Sequence, residues 1–71
     1  MHRLNPDKLL HSKWTATRPV HRERHFIVTA LYRDELERVE SVELEAVLTK
    51  NSQRIDWQRL RDADTWQMGW R

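Results

Sequence analysis

Aromatic rings interleaved with guanidinium groups are the side chains of this chain best suited to chemistry. Trp57, Trp66 and Trp70 fall within the last fifteen positions and alternate with Arg54, Arg59, Arg61 and Arg71; a fourth tryptophan, Trp14, stands near the start. Nucleobases stack on such rings for about 1–3 kcal/mol each while neighbouring cations hold the backbone. That chemistry suits single-stranded DNA or the unpaired loops of RNA. The same indoles could instead fill a core, since each ring buries about 150–250 Å² and small domains are short of apolar mass. A third use lies between these: indole edges at a rim, beside arginine, as the hot spot of a protein interface.

Other candidate chemistry is thinner. His21 and His25 are four apart, a spacing that places two ligands on one helix face, but Pro19 precedes them and a strand-like run follows, so metal binding is not expected. His25, opening that run, reads as a packing or hydrogen-bonding residue. Asp62 and Asp64, with Asp56 nearby, lack the glycine and terminal glutamate of a calcium loop, and Asp62 or Asp64 reads better as a cap ahead of Trp66. No motif joins Ser12 or Ser41 to a histidine, and cysteine is absent. A chain of 71 residues also has little room for a water-excluding pocket. The expectation is a non-enzymatic protein without metal or other cofactor.

Charge is distributed unevenly. Residues 1–24 carry Arg3, Lys8, Lys13, Arg18, Arg22 and Arg24 against only Asp7 and Glu23, whereas residues 25–50 hold six acids against three cations. This basic arm either seeks an outside polyanion or lies across the acidic middle of its own chain. No stretch approaches the ~20 apolar residues of a membrane span, and the start lacks the apolar run of a secretion signal. A cytoplasmic protein with no membrane partner is expected. With 34% charged residues against 38% hydrophobic ones the composition borders on disorder, so order rests on the tryptophans and two patterned segments.

Those segments are the elements that must position the rings. Residues 25–33 (HFIVTALYR) are β-branched and aromatic and predict a central strand. Residues 42–49 alternate, with Val42, Leu44, Ala46 and Leu48 on one side and Glu43 and Glu45 on the other. A helix over 34–48, opened by a capping box at Asp34, competes with this, but the alternation favours a strand with 34–39 as the hairpin connection. A third strand over 53–58 places Ile55 and Trp57 on one face. Asn5-Pro6 starts a helical turn over about 6–11, and Trp14-Thr15-Ala16 is an extended anchor closed by Pro19. Gly69, the one glycine, permits a tight bend before Trp70.

Five spaced motifs then carry a resemblance. Asn5-Pro-x-Lys-Leu-Leu-x-Ser-Lys-Trp-Thr15, His25-Phe26-x-Val28, Leu44-Glu-Ala-Val-Leu-Thr49, Asp56-Trp57-x-x-Leu60-x-Asp62 and Trp66-x-x-Gly-Trp70 resemble a family of short bacterial tryptophan-rich proteins of unknown function. The resemblance implies a one-domain cytosolic bacterial protein and brings no activity with it. Against it, the connection after Arg33 lacks the glycine expected in such a hairpin.

The combined expectation is a mostly-β or small α+β domain over residues 1–71. It comprises a basic arm (1–24), a curved three-stranded antiparallel meander, SH3-like or barrel-like (25–58), and a tryptophan tail packed on it (59–71). The predicted core is Trp14, Ile27, Val28, Leu44, Ala46, Leu48 and Trp57. The candidate contacts are Lys8, Lys13, Arg18, Arg22 and Arg24 for phosphates, with Phe26, Trp66 and Trp70 for stacking. RNA or single-stranded DNA is the first expected partner; a protein partner, held by the tail or a sheet edge, is the alternative.

Overall fold

Alternation along residues 26–46 sets the architecture, because each inward side chain finds an inward partner on the next strand. The computed structural model describes residues 1–71. Five antiparallel strands, β1 (Lys13–Val20), β2 (Glu23–Arg33), β3 (Val39–Ala46), β4 (Ser52–Asp56) and β5 (Trp66–Met68), form one sheet in the order β4-β3-β2-β1-β5. Trp14 lies opposite Phe26, Phe26 opposite Ala46, Val28 opposite Leu44, and Val42 opposite Ile55. Trp66 lies opposite Ala16. These residues share one face, where all but the half-buried Ala16 join Leu9 and Leu60 in the buried core.

Two segments cover that face. Short 3-10 helices at Pro6–Lys8 and Trp57–Arg61 are capped by Asn5 and Asp56, whose side chains accept the amides of Asp7 and Gln58. The His2 amide donates to the Arg61 carbonyl at 2.9 Å, and its ring meets Trp14 edge-on at 5.7 Å. No helix is long and apolar enough to cross a membrane.

The expected meander is present as β2–β3–β4, but three strands become five. The anchor around Trp14 is a full strand. Pro19 is tolerated in it because the β1–β2 pairing is irregular between Thr15 and Val20, where a missing N–H breaks no ladder bond. The tail supplies β5, which closes the other edge of β1. The sheet stays open, with β4 and β5 at opposite edges, so the SH3-like or barrel-like closure is not formed. The helical turn expected over 6–11 stops at Lys8, because His11 turns left-handed (φ 67°) to bring its amide to the Val28 carbonyl.

Two expected core residues are displaced. Leu48 is 68% exposed: β3 ends at Ala46, and the chain reverses through Lys50 (φ 66°) so that the Ala46 amide can meet the Asn51 carbonyl. Ile27, between the inward Phe26 and Val28, must face the opposite side and is half-buried there. Trp57 begins a 3-10 helix rather than continuing β4, and is half-buried against the core. Residues 34–48 contain no helix.

The turns explain the missing glycine. His21 and Arg22 (φ 55° and 63°) form a two-residue hairpin loop with the left-handed pair of a type I′ turn. At the β2–β3 connection Glu37 (φ 63°) takes the left-handed position, while the Asp34 carboxylate accepts the amides of Leu36 and Arg38. An L-residue with a Cβ is strained there. Glu37→Gly is therefore expected to raise stability by about 0.5 kcal/mol, or roughly 2–4 °C in Tm, after its unfolded-state entropy is counted. Glu37→Ala should give no such gain, and paired thermal melts check the difference.

Three carboxylates hold these loops. Thr49, then Asn51, donates to Glu23 and lowers its pKa from the ordinary 4.5. The Arg38 amide lowers Asp34, and the Thr65 hydroxyl, then the Asp64 amide, lowers Asp62, both from 3.8. Depressed folded-state values contribute stability that is present above the unfolded pKa and lost as pH falls through the folded one. Tm should thus be insensitive to these groups above about pH 5 and fall below the ordinary 4.5 and 3.8. The triple variant Glu23→Gln, Asp34→Asn, Asp62→Asn should flatten that acid slope in melts taken from pH 2 to 6.

Candidate functional site

The uncovered face of the sheet carries the chemistry. By the same alternation, Lys13, Thr15, His25, Ile27, Tyr32, Ser41, Glu43, Glu45 and Arg54 point away from the core. At the β1–β5 edge this face is built around Trp70. Gly69 (φ 78°) turns the chain after β5, with its amide on the Lys13 carbonyl at 2.8 Å. No neighbour crowds the position of a Cβ there, so the glycine serves the backbone angle alone. Thr15 fixes the bend from below: its hydroxyl donates to the Gly69 carbonyl at 2.7 Å and accepts the Arg71 amide at 2.9 Å.

The bend lays the Trp70 ring over the sheet, where its indole N–H donates to the Phe26 carbonyl at 3.0 Å. The ring remains 43% exposed. Lys13 Nζ stands 4.7 Å from its centroid, and the His25 ring lies 5.9 Å away at a 30° tilt. His25 Nε2 donates to the Arg71 carbonyl at 2.9 Å, which sets the imidazole beside the indole. An aromatic surface flanked by Lys13, His25 and Arg71 results.

At the far side of the same face the polar groups satisfy one another. The Arg54 guanidinium lies 4.1 Å over the Tyr32 ring, and its Nε donates to Ser41 Oγ at 2.6 Å. Thr29 donates to Glu43 at 2.7 Å. Charge therefore runs from Lys13 on β1 and Arg71 just beyond β5 to the acids Glu43 and Glu45 on β3.

The candidate residues separate into three groups. Phe26 and Trp66 are buried and meet edge-to-face at 5.2 Å, so neither can stack on a ligand base. Trp70 and Lys13 come together. Arg18, Arg22 and Arg24 lie exposed on the β1–β2 hairpin, which is continuous with His25, whereas Lys8 sits on the segment that covers the opposite face. The chain has two ion pairs, Arg33–Asp7 at 2.9 Å and Arg38–Asp34 at 3.3 Å. Arg3, Lys8, Lys13, Arg18, Arg22 and Arg24 enter neither. The basic arm does not neutralise itself on the acidic strand.

His21 lies in the hairpin loop and His25 on β2, so the pair does not form the one-face arrangement a helix would give. Asp62 accepts the Asp64 amide and the Thr65 hydroxyl at 2.9 and 2.8 Å, a capping role just ahead of β5. Sequence reasoning named Arg71 only among the arginines interleaved with the tryptophans, and passed over Thr15 as a site residue. The signal for them was the glycine, since a left-handed bend one residue before Trp70 must be pinned by whatever lies beneath it.

No curated protein and no solved structure matches the chain. A family model described as Tryptophan-rich protein (DUF2389), a family of unknown function, matches residues 12–71. That span takes in all five strands, the core tryptophans Trp14 and Trp66 and the exposed Trp70, and the chain belongs to this tryptophan-rich family.

Proposed function

We propose that this protein is a non-enzymatic binding module for RNA or single-stranded DNA, using the uncovered face at its β1–β5 edge. The observation that carries the reading is Trp70, exposed beside Lys13, His25 and Arg71 while every neighbouring cation of the hairpin is free of an ion pair. One base stacks on Trp70 in place of Lys13. The exchange is favourable on magnitude: an exposed cation–π contact is worth about 0.5–1 kcal/mol, a stacked base about 1–3 kcal/mol. The flexible lysine stem then turns its ammonium to a phosphate. The strand runs along β1 toward Arg24 and Arg22 rather than across the sheet, because Glu45 and Glu43 repel it in that direction.

A protein adaptor that adds a strand to a sheet edge has less support. β4 offers only five residues, and the Trp66 carbonyl of β5 already accepts from His2 Nε2 at 2.7 Å. Short, engaged edges resist strand addition.

Binding of a labelled single-stranded RNA pool tests the proposal. Four phosphate contacts, from Lys13, Arg22, Arg24 and Arg71, give an expected slope of log K against log salt of about −2 to −3. No binding at low ionic strength overturns it.

A further inference from the structure

A second recess lies on the opposite side of the molecule, along Trp66. It has two parts that share Gln53, Thr65 and Trp66. One part encloses about 280 Å³ between Ala16, Val20, Phe26 and Trp66, with Arg18 and Asp64 at its rim. That volume is at the small end of the roughly 300–1,000 Å³ of ligand cavities.

Trp66 supplies the independent sign of a ligand. It is only 8% exposed, yet its indole N–H has no partner in the protein, whereas those of Trp14 and Trp70 donate to Ser12 Oγ and the Phe26 carbonyl. Every fully buried side-chain nitrogen and oxygen is hydrogen-bonded. The unspent Trp66 N–H therefore reaches the solvent-accessible surface, on a ring that lines both parts of the recess. A donor on an otherwise buried residue gains from an acceptor brought by a ligand.

The other polar groups around the recess say what that ligand carries. Glu23 is occupied by Thr49 and Asn51, and Asp62 by Asp64 and Thr65. The guanidinium groups of Arg18 and Arg59 and the amide of Gln53 are unengaged, and Asp64 is the single free carboxylate. Donors are in surplus, above an apolar wall. We infer that this recess binds a small carboxylate with an apolar, aryl-sized body, its ring against Ala16 and Val20 and its carboxylate shared between Arg18 and the Trp66 N–H. This site is independent of the Trp70 face.

Titration with 3-phenylpropionate, followed by the indole ¹H–¹⁵N resonances, tests the assignment. The Trp66 indole signal should move saturably while those of Trp14 and Trp70 stay fixed, and phenethylamine should leave Trp66 unmoved. Arg18→Gln, an exposed substitution, should weaken the acid about tenfold without changing Tm. The inference is overturned if Trp66 does not respond at millimolar acid, or if the amine moves it equally. Binding of a tripeptide with a free C-terminal phenylalanine, without binding of the small acid, would overturn the small-molecule assignment and point to a chain terminus.

Discussion

Trp14→Ala is expected to cost about 3–5 kcal/mol and leave the chain largely unfolded at 37 °C. Trp14 is 1% exposed at the centre of the covered face, between Phe26 on β2 and Met68 on β5. Its ring holds the N-terminal cover through His2, and its N–H donates to Ser12 Oγ at 2.8 Å, which itself donates to the Leu9 carbonyl at 2.6 Å. Removing the indole opens a cavity and leaves that chain of bonds without its first donor. For a domain of this size each kcal/mol shifts Tm by about 4–8 °C, so a fall of more than roughly 12 °C is expected in circular dichroism melts. Trp14→Phe, which keeps the ring and loses the N–H, should lie between. A loss below about 1 kcal/mol for the alanine variant would mean that the core does not depend on this indole.

The difference between Trp14 and Trp70 shows how far composition alone reaches. β2 and β3 were legible because their inward residues repeat every second position, a local signal that Val28, Leu44 and Ala46 satisfy. The cap at Asn5 was legible for the same local reason, whereas Asp56, inside the strand expected over 53–58, caps a 3-10 helix instead. β1 and β5 were not, since each is defined by a partner far along the chain: Thr15 meets Gln67, and the Thr17 amide meets the Thr65 carbonyl. Leu48 continues the alternation of β3 in sequence, but a left-handed residue two positions later ends the strand early. Such conformations favour Gly or Asn, and here they are held by His11, His21, Arg22, Glu37 and Lys50, so 34–39 was legible as a connection while the left-handed residues themselves carried no marker.

Trp66 and Trp70 make the point most sharply. Four residues apart, they share a face in a regular strand as well as in a helix. The left-handed Gly69 breaks that parity and sends one indole into the core and the other onto the open sheet. The glycine was visible in the sequence, but its consequence for the two rings required knowing that Thr15 and Lys13 lie beneath it.

Trp70→Ala is expected to weaken single-stranded RNA binding about 5- to 150-fold, the equivalent of one stacked base. The fold should survive, because the ring is nearly half exposed and only the Phe26 carbonyl loses a partner, one that water can replace at this surface. A stability loss of about 1 kcal/mol follows from that bond. The variant should keep the salt dependence of the parent protein, since a stacking ring releases no counterions. Lys13→Gln should do the reverse, losing less affinity but reducing the slope of log K against log salt by about 0.7. Fluorescence gives the structural control: Trp70 supplies the readily quenched emission, so its removal should leave indoles that acrylamide reaches poorly. If Trp70→Ala binds RNA as tightly as the parent, the exposed indole is not a stacking platform. If Lys13→Gln leaves the salt slope unchanged, the phosphates are not held at this edge, and the nucleic-acid reading fails on both of its physical terms.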